Sequence, residues 1–140
     1  MSDAVRWAEF AKVSPRLAEH AQRRLSAGIC YFATVRRDGA PRVHPLGVDF
    51  RDGSAVVVMF PTSPKSHDLR RNGWYAVHCT VEDNTGGGGE VLVSGKAVPT
   101  DPTQADRDRG WIAFELLVGE VRSTTYDAES KRPVPERWTP

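Results

Sequence analysis

The segment CYFATVRRDGAPRVHPLGVDFRDGSAVVVMFPTSPKSHDLRRNGWYAVHC, residues 30–79, decides the fold. It opens with a β-branched and aromatic run, CYFATV, that reads as a strand. Arg37-Asp38-Gly39 follows, and Asp-Gly supplies the positive backbone angles of a tight hairpin. The returning strand is PRVHPLGVDF. A second turn, Arg51-Asp52-Gly53, leads into SAVVVMF, so the reading is a three-stranded antiparallel meander. Pro45 places the middle strand on an edge or at a bulge, because proline cannot donate to the ladder. Gly47 adds to the irregularity. Ser63-Pro64-Lys65 then starts a short helix, with Ser63 as N-cap and Pro64 at the first helical position. WYAVHC returns as the next strand.

Outward from this segment the elements continue in the same style. Upstream, Asp3–Phe10 and the segment beginning at Ser14-Pro15 read as helices. Leu17, Ala18, Ala21 and Leu25 make an apolar stripe on the second, and Gly28 is its stop. Downstream, EVLVSGKAVP is a strand, 101–109 a helix, and WIAFELLVGEVRSTTY one long bent strand or two short ones. The Gly86–Gly89 run lacks the Lys-Ser/Thr of a phosphate-binding P-loop and precedes a strand, so it reads as a flexible loop, or as a place where backbone approaches a flat ligand. The proline-rich tail, 127–140, reads as irregular, with Trp138 covering a pocket or packing on a partner subunit. The expected fold class is α+β: six antiparallel strands in a closed or nearly closed barrel, residues 28–126, behind N-terminal helices at 1–27, in one domain.

Composition narrows the function classes. The 140 residues carry 39% hydrophobic and 26% charged side chains and a net charge of +1, normal for a soluble domain. That balance gives no sign of nucleic-acid or membrane binding. The longest apolar run, Ala55–Phe60, is too short to span a bilayer. MSDAVRWAEF lacks a signal-peptide pattern, so a cytoplasmic location is expected. Cys30 and Cys79 then read as buried free thiols, and no metal-ligand spacing is present.

Candidate chemistry gathers around Lys65. A helix N-terminus with Ser63 and Lys65 favours an anion, and Arg42, opening the strand expected to pair with SAVVVMF, could share a phosphate with it. His44 shares the strand face of Arg42. No catalytic triad is discernible. Tyr31, Phe32, Trp7, Phe10 and Trp74 read as core aromatics.

The order ATVRRDGAPRVHPL, strand, SPKSHDLRRNGWYAVHC, VLVSGKA resembles the pyridoxamine 5′-phosphate oxidase-like family of FMN-binding split β-barrels, over Gly28 to about Val98. The resemblance implies a homodimer with FMN in clefts between subunits. It further implies that Arg42, Ser63 and Lys65 hold the flavin phosphate. Val43, His44, Pro45 and Leu46 would lie along the isoalloxazine and ribityl groups, and Val58 and Met59 would add contacts. Glu90 stands where the family's oxidases use a Gln that reaches the cofactor from the partner. Pro64 stands where those oxidases carry Arg, and the chain is shorter at its C-terminus, where Arg132, Arg137 and Trp138 only echo the family's substrate-gripping segment. The implied function is therefore a flavin-dependent oxidoreductase acting on a small molecule other than the namesake substrate. The alternatives are a deazaflavin-dependent reductase, whose longer acidic cofactor would use Arg36, Arg37, Arg70 and Arg71, and a flavin-binding protein without turnover. No catalytic residue is assigned, since the cofactor carries the redox chemistry.

Overall fold

The computed structural model describes residues 3–83 and 87–140. Two helices come first, α1 (Trp7–Val13) and α2 (Pro15–Ser26), followed by β1 (Cys30–Val35), β2 (Pro41–Leu46), β3 (Asp49–Arg51) and β4 (Ser54–Met59). Then come α3 (Pro64–Arg71), β5 (Trp74–His78), β6 (Glu90–Thr100), α4 (Gln104–Asp108), β7 (Ile112–Tyr126) and β8 (Pro133–Trp138). All described strand pairings are antiparallel, in the order β2-β1-β5-β6-β7-β4-β3, with β8 added to β7.

This order replaces the expected meander. PRVHPLGVDF is not one strand pairing both neighbours: β2 pairs only with β1, and β3 pairs with β4 at the opposite end of the sheet. Only Gly47 and Val48 separate them. Three virtual bonds span at most about 11 Å, so the two sheet ends must come together and the sheet curls into a barrel. Pro45 is accordingly on an end strand, where its missing N–H costs no ladder bond on the open side. Both Asp-Gly turns form. Asp52 and Gly53 have φ of 48° and 78°, a type I′ pattern, whereas at the first turn Gly39 alone is positive, at 85°.

Among the described residues there are eight strands rather than six. Half the excess comes from the break at Gly47. The rest comes from the tail, which is not irregular: Pro133–Trp138 pairs with Val121–Tyr126. Pro133 and Pro135 tolerate this because β8 has β7 on one side only, among the described residues. Trp138 meets Phe10 at 4.6 Å between ring centroids, so it packs, half-buried, against the core of its own chain. Val5 bridges Val118 between the β4 and β8 pairings on the same edge of β7. That extended start also displaces the first helix, which begins at Trp7 rather than Asp3.

The interior is built by alternation. Phe32, Val77, Val91, Val93, Val118 and Val121 are fully buried, and Phe32 stacks on Tyr75 at 5.7 Å. The apolar stripe of α2 and Trp7 and Phe10 of α1 close one side of this core. Cys30 and Cys79 are buried free thiols, and burial pushes the Cys30 thiol up to about 11. Tyr31 and Trp74, expected in the core, instead point outward at 52% and 38% exposure.

Of the Gly86–Gly89 run expected as a loop, Gly86 lies outside the described residues. Of the glycines after it, Gly88 (φ 81°) approaches the buried guanidinium of Arg24 so closely that a Cβ there would sit 2.5 Å from Nη1. The close approach that requires glycine is thus to an arginine of α2, which also donates to the Thr80 carbonyl at 2.9 Å.

Candidate anion site at the start of α3

β4 ends at Met59, and the Ser63 N–H donates to the Phe60 carbonyl at 3.1 Å, turning the chain into α3. Pro64 occupies the first helical position, and Ser63 is the N-cap residue. The Ser63 hydroxyl does not cap, however: its Oγ is buried and has no hydrogen-bond partner, and the same holds for Ser66 Oγ one turn later. Lys65 is half-buried, and burial alone holds its ammonium below the usual lysine range. Among the described residues no carboxylate pairs with it. Unpartnered donors beside an unpaired cation, at the positive end of an eight-residue helix, form a site with capacity for an anion.

Arg42 reaches this site by a different route from the one expected. It lies on β2, opposite Thr34 of β1, and α3 packs across β1 rather than meeting Arg42 through β4. The link is Asp68 of α3. Its Oδ2 accepts from Arg42 Nε at 2.8 Å and from Thr34 Oγ1 at 2.7 Å, and its Oδ1 accepts from Arg71 Nη2 at 3.0 Å. Burial disfavours the charge on Asp68, but these three donors outweigh it and hold the carboxyl below its ordinary range. The Arg42 guanidinium is thereby fixed through Nε. Its terminal nitrogens have no acceptor among the described residues.

His44 faces the same way as Arg42, two residues along β2. Burial and then the positive charges of Lys65 and Arg42 push its pKa down, so it is neutral near pH 7. Leu46 shares this inward face, while Val43 and Pro45 alternate to the outer face, Val43 at 62% exposure. Val58 and Met59 sit at the end of β4 next to the Ser63 turn, Met59 buried and Val58 half-buried.

Glu90 is not part of this cluster. Arg42, Thr34, Tyr75 and Gly95 lie in register across four strands. Glu90 is five residues along β6 from that level, about 17 Å at strand rise. Its carboxylate accepts from the Tyr126 hydroxyl at 2.9 Å. Of the four arginines read as a basic groove, Arg37 has no partner among the described residues and the other three contact their own chain. Arg70 donates to the Pro61 carbonyl at 2.5 Å, Arg71 to the Val35 carbonyl at 2.7 Å, and Arg36 pairs with Asp38 at 3.3 Å. Of the tail residues, Arg137 pairs with Glu120 at 2.7 Å and Trp138 packs on Phe10. Sequence reading missed Asp68 and Thr34, which lie 26 and 34 residues from their partners Arg42 and Asp68. A helical Asp three residues after Lys65 was their only trace.

No family model and no curated protein matches the sequence. Solved structures do. A NimC/NimA family protein from Clostridium acetobutylicum is 17% identical, with 86% of this chain and 92% of that chain covered at a TM-score of 0.62. A pyridoxamine 5′-phosphate oxidase-related, FMN-binding protein from Nostoc punctiforme is 12% identical over 95% and 100% of the two chains, at 0.58. An F420 reductase is 16% identical over 71% and 93%, at 0.55. The chain has the pyridoxamine 5′-phosphate oxidase-like split-barrel fold. Within that fold, the α3 N-terminus and β2 are the elements that carry the cluster of Arg42, His44, Ser63 and Lys65. No helix among the described residues is long and apolar enough to cross a membrane, and no group of three metal-ligating side chains is present among them.

Proposed function

We propose that this split barrel is a flavin-dependent oxidoreductase that binds FMN by its phosphate and works as a homodimer on a small-molecule substrate in the cytoplasm. The observation that carries the cofactor reading is the buried, partnerless Ser63 Oγ beside the unpaired Lys65 and the Nε-anchored Arg42. A phosphate dianion would satisfy all three at once, accepting from the hydroxyl, the ammonium and the free end of the guanidinium. His44 and Leu46 on the inner face and Val43 and Pro45 on the outer would line the rest of the cofactor, with Val58 and Met59 beside the phosphate turn. FMN, when bound, supplies the hydride transfer. The chain's own residues bind and orient it. The FMN reading is supported over a deazaflavin by the contacts of Arg36, Arg70 and Arg71 within the chain, which leave Arg37 alone of the four groove candidates without a partner among the described residues.

The dimer reading rests on the outer face of β2-β1-β5. Val43, Ala33 and Ala76 lie in register there, flanked by Tyr31 and Trp74, and Lys96 Nζ lies 3.9 Å over the Trp74 ring. A face with three large side chains exposed in one patch is an interface candidate. The resemblance to the family's oxidases, rather than a contact within the chain, is what assigns Glu90 to the partner's cofactor.

The test is titration of the purified protein with FMN, riboflavin and a deazaflavin, read by flavin fluorescence and absorption. FMN is expected to bind more tightly than riboflavin, which lacks the phosphate. Lys65→Met should weaken FMN by about 10–100-fold, the worth of one charge-assisted hydrogen bond, with riboflavin little changed. Arg42→Ala is a poorer probe, because it also takes one of three donors from the buried Asp68. A colourless protein that binds none of the three ligands would sink the reading, and tightest binding of the deazaflavin would replace FMN.

A further inference from the structure

We propose that Asp68 is a positioning residue for the flavin phosphate: it fixes the Arg42 guanidinium through Nε, so that only its two terminal nitrogens remain for the anion. This rests on the FMN reading above. Asp68 is 2% exposed and Thr34 is 2% exposed, so the contact is built into the packed layer between α3 and β1. Both carboxylate oxygens are engaged. Thr34 and Arg42 share Oδ2 at 2.7 and 2.8 Å, and Arg71 takes Oδ1 at 3.0 Å. Arg71 is in turn fixed by the Val35 carbonyl at 2.7 Å. With both oxygens held, the carboxylate cannot swing to form a bidentate pair with the terminal nitrogens of Arg42.

That distinction has a chemical consequence. An arginine held end-on by a carboxylate is spent as an anion ligand, whereas one held by Nε alone still offers two parallel donors in the fork that suits phosphate. The charge count agrees. Arg42, Arg71 and Lys65 against the single carboxylate of Asp68 leave two net positive charges, the complement of a phosphate dianion. Asp68 therefore restrains the flexible Arg42 side chain before the ligand arrives, reducing the ordering cost of binding.

The readout is the ratio of FMN to riboflavin affinity, which a general loss of structure would not move selectively. Asp68→Asn is expected to lower FMN affinity about tenfold, leave riboflavin within about twofold, and so collapse the ratio. Thr34→Val removes one donor to the carboxylate without changing charge, and should lower the ratio about threefold; it reads the same quantity if Asp68→Asn does not fold. On an Arg42→Lys background, which has no Nε in that place, the further effect of Asp68→Asn on the ratio should shrink to less than about twofold. A wild-type protein that prefers FMN while both single variants keep its ratio would overturn the role of Asp68 and leave the phosphate site standing. A wild-type protein that does not prefer FMN over riboflavin would overturn both.

Discussion

Asp106 shows most directly how single side chains are tied into this fold. It is 4% exposed and forms a capping box with Thr103, whose N–H donates to Oδ2 at 2.9 Å. Arg51 of β3 donates to both its oxygens, at 2.6 and 3.2 Å. The Arg51 hydrogen bonds, working against burial, hold the carboxyl down to about 2. A depressed carboxylate contributes its stability above its ordinary pKa of about 4 and loses it as pH falls further. Asp106→Asn should thus cost about 2 kcal/mol at neutral pH. That deficit should shrink as pH falls from about 4 toward about 2, measured as urea midpoints of both proteins. A deficit that stays constant across that window would contradict the pairing. Lys65→Met should behave oppositely: removing a half-buried, unpaired cation should leave stability unchanged or raise it while FMN affinity falls. That combination separates a ligand-binding lysine from a structural one.

At the scale of elements, β6 and β7 form the longest pairing, and it is interrupted between Ser94 and Gly95. A Cβ on Gly95 would lie 2.1 Å from the Leu117 carbonyl oxygen and 2.9 Å from the Gly119 nitrogen. Both neighbours are backbone, so nothing short of moving the strand relieves the clash. Gly95→Ala should cost more than about 2 kcal/mol, read by chemical denaturation. Gly47→Ala, where a Cβ would meet nothing within 4 Å, is the matched control and should cost under about 1 kcal/mol. Strand periodicity made most of these elements legible in the sequence, as at WYAVH and EVLVSG. What it left out was the break at Gly47, because a strand that switches neighbours has the same local pattern as one that does not. The tail was misread for a related reason. Three prolines argue against a strand unless one side of it is open, and only the neighbourhood of β7 shows that β8 is such a strand.

For the whole molecule, the consequential surface is the outer face of β2-β1-β5. If two copies meet there, Tyr31→Glu combined with Val43→Glu should convert a dimer to a monomer in sedimentation velocity, because two buried carboxylates would face an apolar partner surface. Both side chains are more than half exposed in the single chain, so the fold itself should survive, and unchanged far-ultraviolet circular dichroism would confirm that. Tyr31→Glu alone, which leaves the cofactor-lining Val43 in place, should weaken FMN binding together with dimerisation, since the proposed cofactor cleft is completed by the partner. A wild-type monomer that binds FMN at full strength would remove the dimer from the mechanism.

Local signals along the chain mark α1 to β1, α3, β5 to β7 and both Asp-Gly turns, and they single out Arg42, Ser63 and Lys65 as candidates for holding an anion. These are local signals: alternation, turn chemistry and cap residues act over a few positions. That β2 and β3 close the sheet from opposite ends is set by long-range packing. The same closure sets that Arg42 reaches α3 through Asp68, that Trp138 packs against the core of its own chain, and that Tyr31 and Trp74 face outward. Each of these depends on which surfaces meet when the sheet curls, a matter of long-range closure that no window along the chain records.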